Sequence, residues 1–587
     1  MVVEPVTSWS PAGWMATVVE GESGDMPPRA SWKMIAEALA GRVSERWAEV
    51  RSVRFDGPKA TDANLETLAT AGYLDHIETL HLASDQLSPR GLAIALALPA
   101  LVTLRLEGVS APRLASRASS VRRLELFDCE PDTCASLVGA VTALSAIDLE
   151  SVNPRRDHGV VWNALAEHGL RFLRVAHVPL AGAALEEMLT SSAGSLESLL
   201  LDDVPGLDSD EFLARRSWPA LRAFQWHRGT LAELGAHLPA ELSELSLRET
   251  SVATFHVGHW ASSLTSLDCI RSSVSETMAA RIDANPGKLV HLGLASGAVA
   301  VRTVATLSAM SDSSLRSLEL GDSFVSASRD PGAVSLLDSV PAALESFTLE
   351  HAWGLDEDLL RDVLRGDRAP GLRALSLQYI TIGNPDLGGG FSANLRRLAV
   401  RYGGGFIEGL GSAGPVALTH LALEDVEVRS HELVALLRCC ERLASLQLAN
   451  VACFGAAGLR AALVHVAAQL VQLSLRGFSA DAIPANGDAL LGLRYPALAE
   501  LHLDDTTFSP RAFSHLMAAD VTPALERLSL DCAPGDEQWL SVVERSSSAL
   551  HWIDGQYPGK IESLLELLRD SASGVADAVL HLRRQPR

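Results

Sequence analysis

The stretch "LERLSLDC", Leu525 to Cys532, decides the fold. It places apolar residues at offsets zero, three and five and mostly polar residues between them. The same spacing returns in "LVQLSLRG" from Leu470, "LASLQLAN" from Leu443 and "LRALSLQY" from Leu372. The residues at three and five alternate with polar neighbours, which is the period of a short strand with one buried side. Counted along the chain there are 19 clear copies, starting at Ile77 and ending with Leu525, and poorer ones start at Val50 and Leu550. From 50 to 550 the mean spacing is 25 residues.

Between the phrases the periodicity changes. "ELVALLRCC" puts Leu433, Leu436, Leu437 and Cys440 on one helical face, and "LLRDVLR" (359–365) and "GLRAALVHVAAQ" (458–469) behave alike. Strand, turn, helix and return in about 25 residues make one coil, so successive strands must run parallel. A lone coil cannot hold itself together. Each buried Leu or Val stabilises by roughly 1.5–3 kcal/mol, while each ordered backbone residue costs roughly 1–2 kcal/mol. Stacking closes that gap by burying both flanks of every coil.

The phrase matches the L-x-x-L-x-L core of leucine-rich-repeat proteins, and the chain resembles that family from about residue 50 to 555. Its repeat length and helical returns are most similar to the ribonuclease-inhibitor-like subclass. The resemblance implies an α/β solenoid: a curved parallel sheet of about 20 short strands inside, helices or irregular coil outside. The family usually has Asn or Cys at offset eight, where the side chain bonds turn backbone. This chain instead has Asp85, Val109, Cys129, Val152, Val204, Thr250, Val426, Val451 and Thr506 there. Its turns must therefore satisfy their amides otherwise, and irregular coils are expected where repeats shorten, as between Leu101 and Val121.

The expected organisation is an N-terminal capping segment over 1–49, an array of about 21 repeats over 50–555 and a C-terminal cap over 556–587. The first segment holds Trp9, Trp14, Trp32 and Trp47, read as an aromatic lid. The last reads as a helix followed by a strand.

Composition narrows the function. Lys and Arg total 49 against 72 Asp and Glu, a net charge of −23, in a chain that is 47% hydrophobic. That balance argues against nucleic acid and against anionic membranes as partners. Positive charge is almost all arginine, which together with abundant alanine suggests a bacterial source. Seven cysteines show no C-x-x-C pair and no zinc spacing, so they read as reduced thiols of a cytoplasmic protein. The start lacks a basic region followed by an apolar core, and the uncharged run 91–104 is shorter than the roughly 20 residues of a membrane span.

Offsets one, two, four, six and seven are expected on the inner, strand-lined surface. Arginine is frequent at one and two, and acids dominate six and seven, among them Asp202, Asp203, Asp504 and Asp505. Such an edge would orient a partner with a basic surface. A local exception lies in the coils starting at Leu372 and Leu395. There Arg373, Tyr379, Arg396, Arg397, Arg401 and Tyr402 fall on the expected inner surface, with Arg373 beside Arg396 and Tyr379 beside Tyr402. Arg and Tyr concentrate binding energy in interfaces.

Signals of enzymatic chemistry fail. "GLGSAG" (409–414) has the glycine spacing of a phosphate loop but runs into Pro415 and a strand, not a helix. His502, Ser529 and Asp504 or Asp531 gather by repetition, without a nucleophile elbow or an oxyanion donor pair. No catalytic residue, cofactor or metal site is therefore expected. The function expected is a non-catalytic scaffold, monomeric, recognising a protein of unknown identity through its inner face. The alternatives are an effector or enzyme-associated substrate-recognition subunit, such as a ubiquitin-ligase-like or regulatory adaptor, and an architectural self-associating element.

Overall fold

The computed structural model describes most of residues 47–150, 159–204, 217–273, 288–294, 314–321, 340–379, 391–403, 416–477, 490–504 and 511–531. It also describes the strands Trp552–Gln556 and Val579–Arg583 and a few isolated positions. The chain gathers into two units, Ser23–Ala295 and Ser296–Arg587, and each is built from the same coil.

In the first unit a parallel ladder runs through β1 (Ser52–Asp56), β2 (Thr79–Ala83), β3 (Thr103–Glu107), β4 (Arg123–Phe127), β5 (Ala146–Glu150) and β6 (Phe172–Ala176). It continues through β7 (Ser198–Asp202), β8 (Ala223–His227), β10 (Glu244–Ser246), β12 (Ser266–Cys269) and β13 (His291–Leu294). Two strands outside that ladder, β9 (Thr230–Leu234) and β11 (Ser251–Phe255), pair with each other in parallel.

The second unit contains β14 (Ser317–Leu320), β15 (Ser346–Glu350), β16 (Ala374–Gln378), β17 (Arg397–Arg401), β18 (His420–Glu424) and β19 (Ser445–Ala449). After these come β20 (Gln472–Arg476), β21 (Glu500–Asp504), β22 (Arg527–Asp531), β23 (Trp552–Gln556) and β24 (Val579–Arg583), every neighbour parallel.

The ladder is in register with the repeat. Ser346 pairs with Ala374, Ala374 with Arg397 and Arg397 with His420, all at offset two. Strands begin at offset two and most end at six, so the leucines at three and five point one way and the variable letters the other. Leu101, Leu104 and Leu106 are fully buried, as are Leu443, Leu446 and Leu448. The coil is an α/β leucine-rich-repeat solenoid unit.

Helices return the chain where the 3.6-residue period is present. The helix Ser430–Cys439 buries Leu433, Leu436 and Leu437, and Glu357–Arg365 buries Leu360, Val363 and Leu364. In the coils starting at Leu221 and Leu242, only 21 and 22 residues long, β9 and β11 stand where other coils place an α-helix, and the second coil closes with a 3-10 turn at His259–Ser262. The shortening expected to disturb the coil at Leu101 falls on residues mostly outside the described ones.

Twelve of the described turns that follow a strand share one solution. The residue at offset seven adopts a left-handed backbone in Gly108, Asp128, His177, Asp203, Arg228, Glu249, Arg271, Tyr379, Tyr402, Asp425, Asn450 and Gly477, with φ between 48° and 69°. This conformation aims its N–H along the stack. Tyr379 N–H donates to the Arg401 carbonyl (2.8 Å), Tyr402 N–H to Glu424 (2.9 Å) and Asp425 N–H to Ala449 (2.8 Å). Offset eight, deprived of Asn, is mostly buried valine, as Val109, Val178 and Val426. Two polar substitutes do the family's work there: Cys129 Sγ–H donates to the Leu106 and Phe127 carbonyls, and Thr250 Oγ1–H to Trp226 (2.8 Å) and Arg248 (2.9 Å).

Of the N-terminal segment, Trp47 is described. It is 3% exposed, donates to the Tyr73 carbonyl at 2.7 Å and meets that ring edge-on. The other three tryptophans, "GLGSAG" and the C-terminal helix lie outside the described residues.

Candidate interaction surface

The polar faces of the two units differ in what their strands carry. In the first unit charges answer one another between coils. Arg174 donates to Asp148 (2.8 Å) and Glu150 (2.6 Å), Arg105 faces Glu125 (3.8 Å), and Arg248 pairs with Asp268. Arg105 lies over the Phe127 ring at 4.2 Å and Arg123 over Phe172 at 5.2 Å. Burial pushes the Asp148 carboxyl up, and Arg174 offsets only part of that. This face is occupied by its own side chains.

In four successive coils of the second unit the middle of the face is small and neutral: Thr348, Ser376, Ala399 and Ala422 stand at offset four, between Glu319 before them and Gln447 after. Around this low floor stand the residues singled out from the sequence. Arg397 and Arg401 lie on β17; Arg373 and Arg396 precede their strands, and Tyr379 and Tyr402 follow theirs at the left-handed turn. The tyrosines are therefore edge residues, because the left-handed backbone turns their side chains off the strand face.

The expected neighbours are neighbours. The Tyr379 and Tyr402 rings stack at 4.4 Å with 11° between their planes, and the Arg401 guanidinium lies 5.0 Å from the Tyr402 centroid. Arg396 N–H donates to the Arg373 carbonyl at 2.8 Å. Tyr402 remains 38% exposed. Its hydroxyl is pushed above the ordinary range by burial, opposed by Arg401 and reinforced by Asp425 and Tyr379. Arg401 pairs with Glu424 at 3.2 Å, yet burial still raises the Glu424 carboxyl.

The acids singled out at offsets six and seven have other company. Asp202 is 8% exposed and takes a two-pronged contact from Arg228, one coil on. Burial opposes its ionisation, but the hydrogen bonds and charge of Arg228 outweigh it and hold the carboxyl low. Asp203 is exposed and pairs with His177 Nδ1 at 3.0 Å. His177 Nε2 faces Arg228 Nη2 at 3.0 Å, so Nε2 accepts and Nδ1 carries the proton. Asp504 ends β21; its side chain and all of Asp505 lie outside the described residues. His502 and Ser529 are register partners, and His502 Nε2 lies 3.8 Å from Glu500.

Two residues not singled out belong to this surface. Glu345, at offset one, sits between Arg316 (3.7 Å) and Arg373 (3.9 Å). Counting offsets across coils places all three in one row.

No family model matches the chain, and neither does any curated protein. Among solved structures it is similar to the crystal structure of the Rad7 and Elc1 complex in yeast, at 13% identity over 84% of this chain and 94% of that one, with a TM-score of 0.32. It is also similar to the structure of the Toll–Spatzle complex of Drosophila, at 13% identity over 90% of this chain and 88% of that one, with a TM-score of 0.28. The class assigned here, a leucine-rich-repeat solenoid, rests on the strand ladder and the buried leucines.

Proposed function

We propose that the protein is a non-catalytic scaffold that recognises a protein partner through the polar face of its second unit. The observation that carries this reading is the tyrosine pair. A left-handed backbone costs a residue with a side chain roughly 1–2 kcal/mol, and glycine or asparagine fills such turns readily. Asn450 and Gly477 do so two and three coils beyond Tyr402. Eight other residues with side chains hold the same turn, so the backbone alone does not single out the tyrosines; large aromatic surface in two successive turns, stacked and in Tyr402 exposed, does. Such surface concentrates binding energy in interfaces.

The neutral floor beside the pair offers space where the first unit offers filled ion pairs. A ribonuclease-inhibitor-like subclass, a cytoplasmic location and a monomeric state are parts of the same proposal. Helical returns and the buried thiols Cys129, Cys134 and Cys440 support the first two. The test is photo-crosslinking in extracts of the native cell, with a benzophenone amino acid at position 402. The control position is Val464, 56% exposed and outside the strands. A protein captured from 402 and not from 464 is the expected result; equal labelling from both would remove this surface.

A further inference from the structure

We infer that the edge formed by Arg316, Arg373, Arg396 and Arg397 receives an acidic segment of a partner protein. The inference rests on the interaction surface proposed above and adds the partner's chemistry. In the first unit no offset-one arginine is followed by another in the next coil: Arg51 faces Glu78 at 3.6 Å and Arg171 faces Glu197 at 2.8 Å, while Arg122 and Arg222 are followed by Ser145 and Ser243. The second unit departs from this by setting two arginines in succession. Its consecutive offset-one residues are Arg316, Glu345, Arg373, Arg396 and Thr419, joined coil to coil by backbone bonds from Glu345 to Arg316, Arg373 to Glu345, Arg396 to Arg373 and Thr419 to Arg396.

Arg373 and Arg396 thus stand side by side, an arrangement of like charges that destabilises paired strands. Glu345 serves both Arg316 and Arg373 through long, half-exposed contacts, which neutralise little. Arg396 is held in place without losing its charge, because Nη1 donates to the carbonyls of Ala393 (2.6 Å) and Ala417 (3.4 Å). Arg397 adds a fourth guanidinium on the strand itself, and burial together with Arg397 keeps its neighbour His420 toward the neutral form. The opposite edge of the same coils carries Glu350, Glu424 and Asp425, and the arginine there, Arg401, is paired with Glu424 at 3.2 Å.

Three strand spacings of about 4.8 Å separate Arg316 from Arg396. A row of roughly 14 Å matches four residues of extended chain at about 3.3 Å each. In a protein of net charge −23 such a row has a specific complement: an extended stretch of Asp and Glu whose carboxylates take bidentate guanidinium contacts.

The test uses the full-length protein and fluorescence anisotropy with a labelled glutamate-rich peptide and a lysine-rich peptide of equal length. The glutamate-rich peptide should bind and weaken as salt is added. Arg373→Glu with Arg396→Glu should lower its affinity about tenfold or more, as like charges across an interface do. Arg373→Gln with Arg396→Gln should lower it less, and Arg438→Glu, on a helix away from the row, should leave it unchanged. Circular dichroism of each variant reports whether it folds. No salt-sensitive binding, equal binding of the lysine-rich peptide, or indifference to the paired reversal would overturn the inference. So would displacement by equimolar inorganic phosphate, which would mark a general anion site. If peptides fail while crosslinking from position 402 succeeds, the surface stands and only the partner's acidity falls.

Discussion

The rings of Tyr379 and Tyr402 lie one coil apart, parallel and 4.4 Å from centroid to centroid, and both residues hold left-handed backbone. Stacking contributes about 0.5–1.5 kcal/mol beyond area burial, close to the roughly 1–2 kcal/mol that one left-handed side-chain residue costs. Tyr402→Asn removes both terms. Its urea midpoint should therefore stay within about 1 kcal/mol of the parent, while retention of the partner captured at this surface should be lost. A variant that keeps the partner would show the pair to be decoration on a turn.

Asp202 shows how an apparently free acid can be committed. It is 8% exposed, and its partner Arg228 lies one coil away at offset seven. Arg228→Ala leaves a buried carboxylate without its bidentate donor. Because Arg228 is itself 44% exposed, solvent screening keeps the loss to about 1–3 kcal/mol, below the cost of breaking a fully buried pair. Arg171→Ala, which breaks the exposed contact to Glu197, should leave the midpoint unchanged. The folded carboxyl of Asp202 is held low, so its contribution is present above the unfolded value and fades as pH falls through the folded one. Arg228→Ala should flatten that part of the acid limb in urea titrations.

The leucine phrase made the strands legible because burial imposes it at every coil; the starts from Val50 to Leu550 all carry a strand at the expected offset. The Tyr379–Tyr402 and Arg373–Arg396 adjacencies followed from the same register. The left-handed turn did not show, since His177, Arg228, Glu249 and Tyr379 share no side-chain trait that announces a backbone angle. Gly108, Asn450 and Gly477 carried the one hint. The strands β9 and β11 were hidden because a run such as "TLAEL" gains its strand character from its neighbour. Ion pairing of Asp202 was within reach by subtraction of repeat lengths, but a count of acids along one edge treats each as solvated.

Gly477 and Gly108 occupy the same offset with φ of 69° and 66° but different surroundings. A Cβ at Gly108 meets nothing within 4 Å, whereas one at Gly477 collides with the Asn450 side chain and crowds its backbone nitrogen at 3.3 Å. Gly108→Ala should cost about 1–2 kcal/mol, the conformational term alone. Gly477→Ala should cost more, and Gly477→Ala with Asn450→Gly should return it toward the Gly108→Ala value. Equal midpoints for the two single variants would refute the crowding.

Acid sensitivity near neutrality has its own source. Burial lowers the pKa of His227 and His291 in the first unit, against the pull of nearby Asp268, and of His420 in the second, where Arg397 adds to it. A histidine whose folded pKa lies below its unfolded value of about 6.5 binds its proton more readily when unfolded. The stability it contributes is complete above that value and is lost as pH falls through the depressed folded pKa. Asp148, raised by burial, acts in the opposite sense but over the lower carboxylate range. The urea midpoint followed by fluorescence of the buried Trp226 should therefore drop between pH 7.5 and 5.5. His227→Gln with His291→Gln should shrink that drop in the first unit. Gln keeps a hydrogen-bonding group for the Ser246 hydroxyl, now 2.9 Å from His227 Nε2, and carries no proton to gain. An undiminished drop in the double variant would locate the acid sensitivity elsewhere.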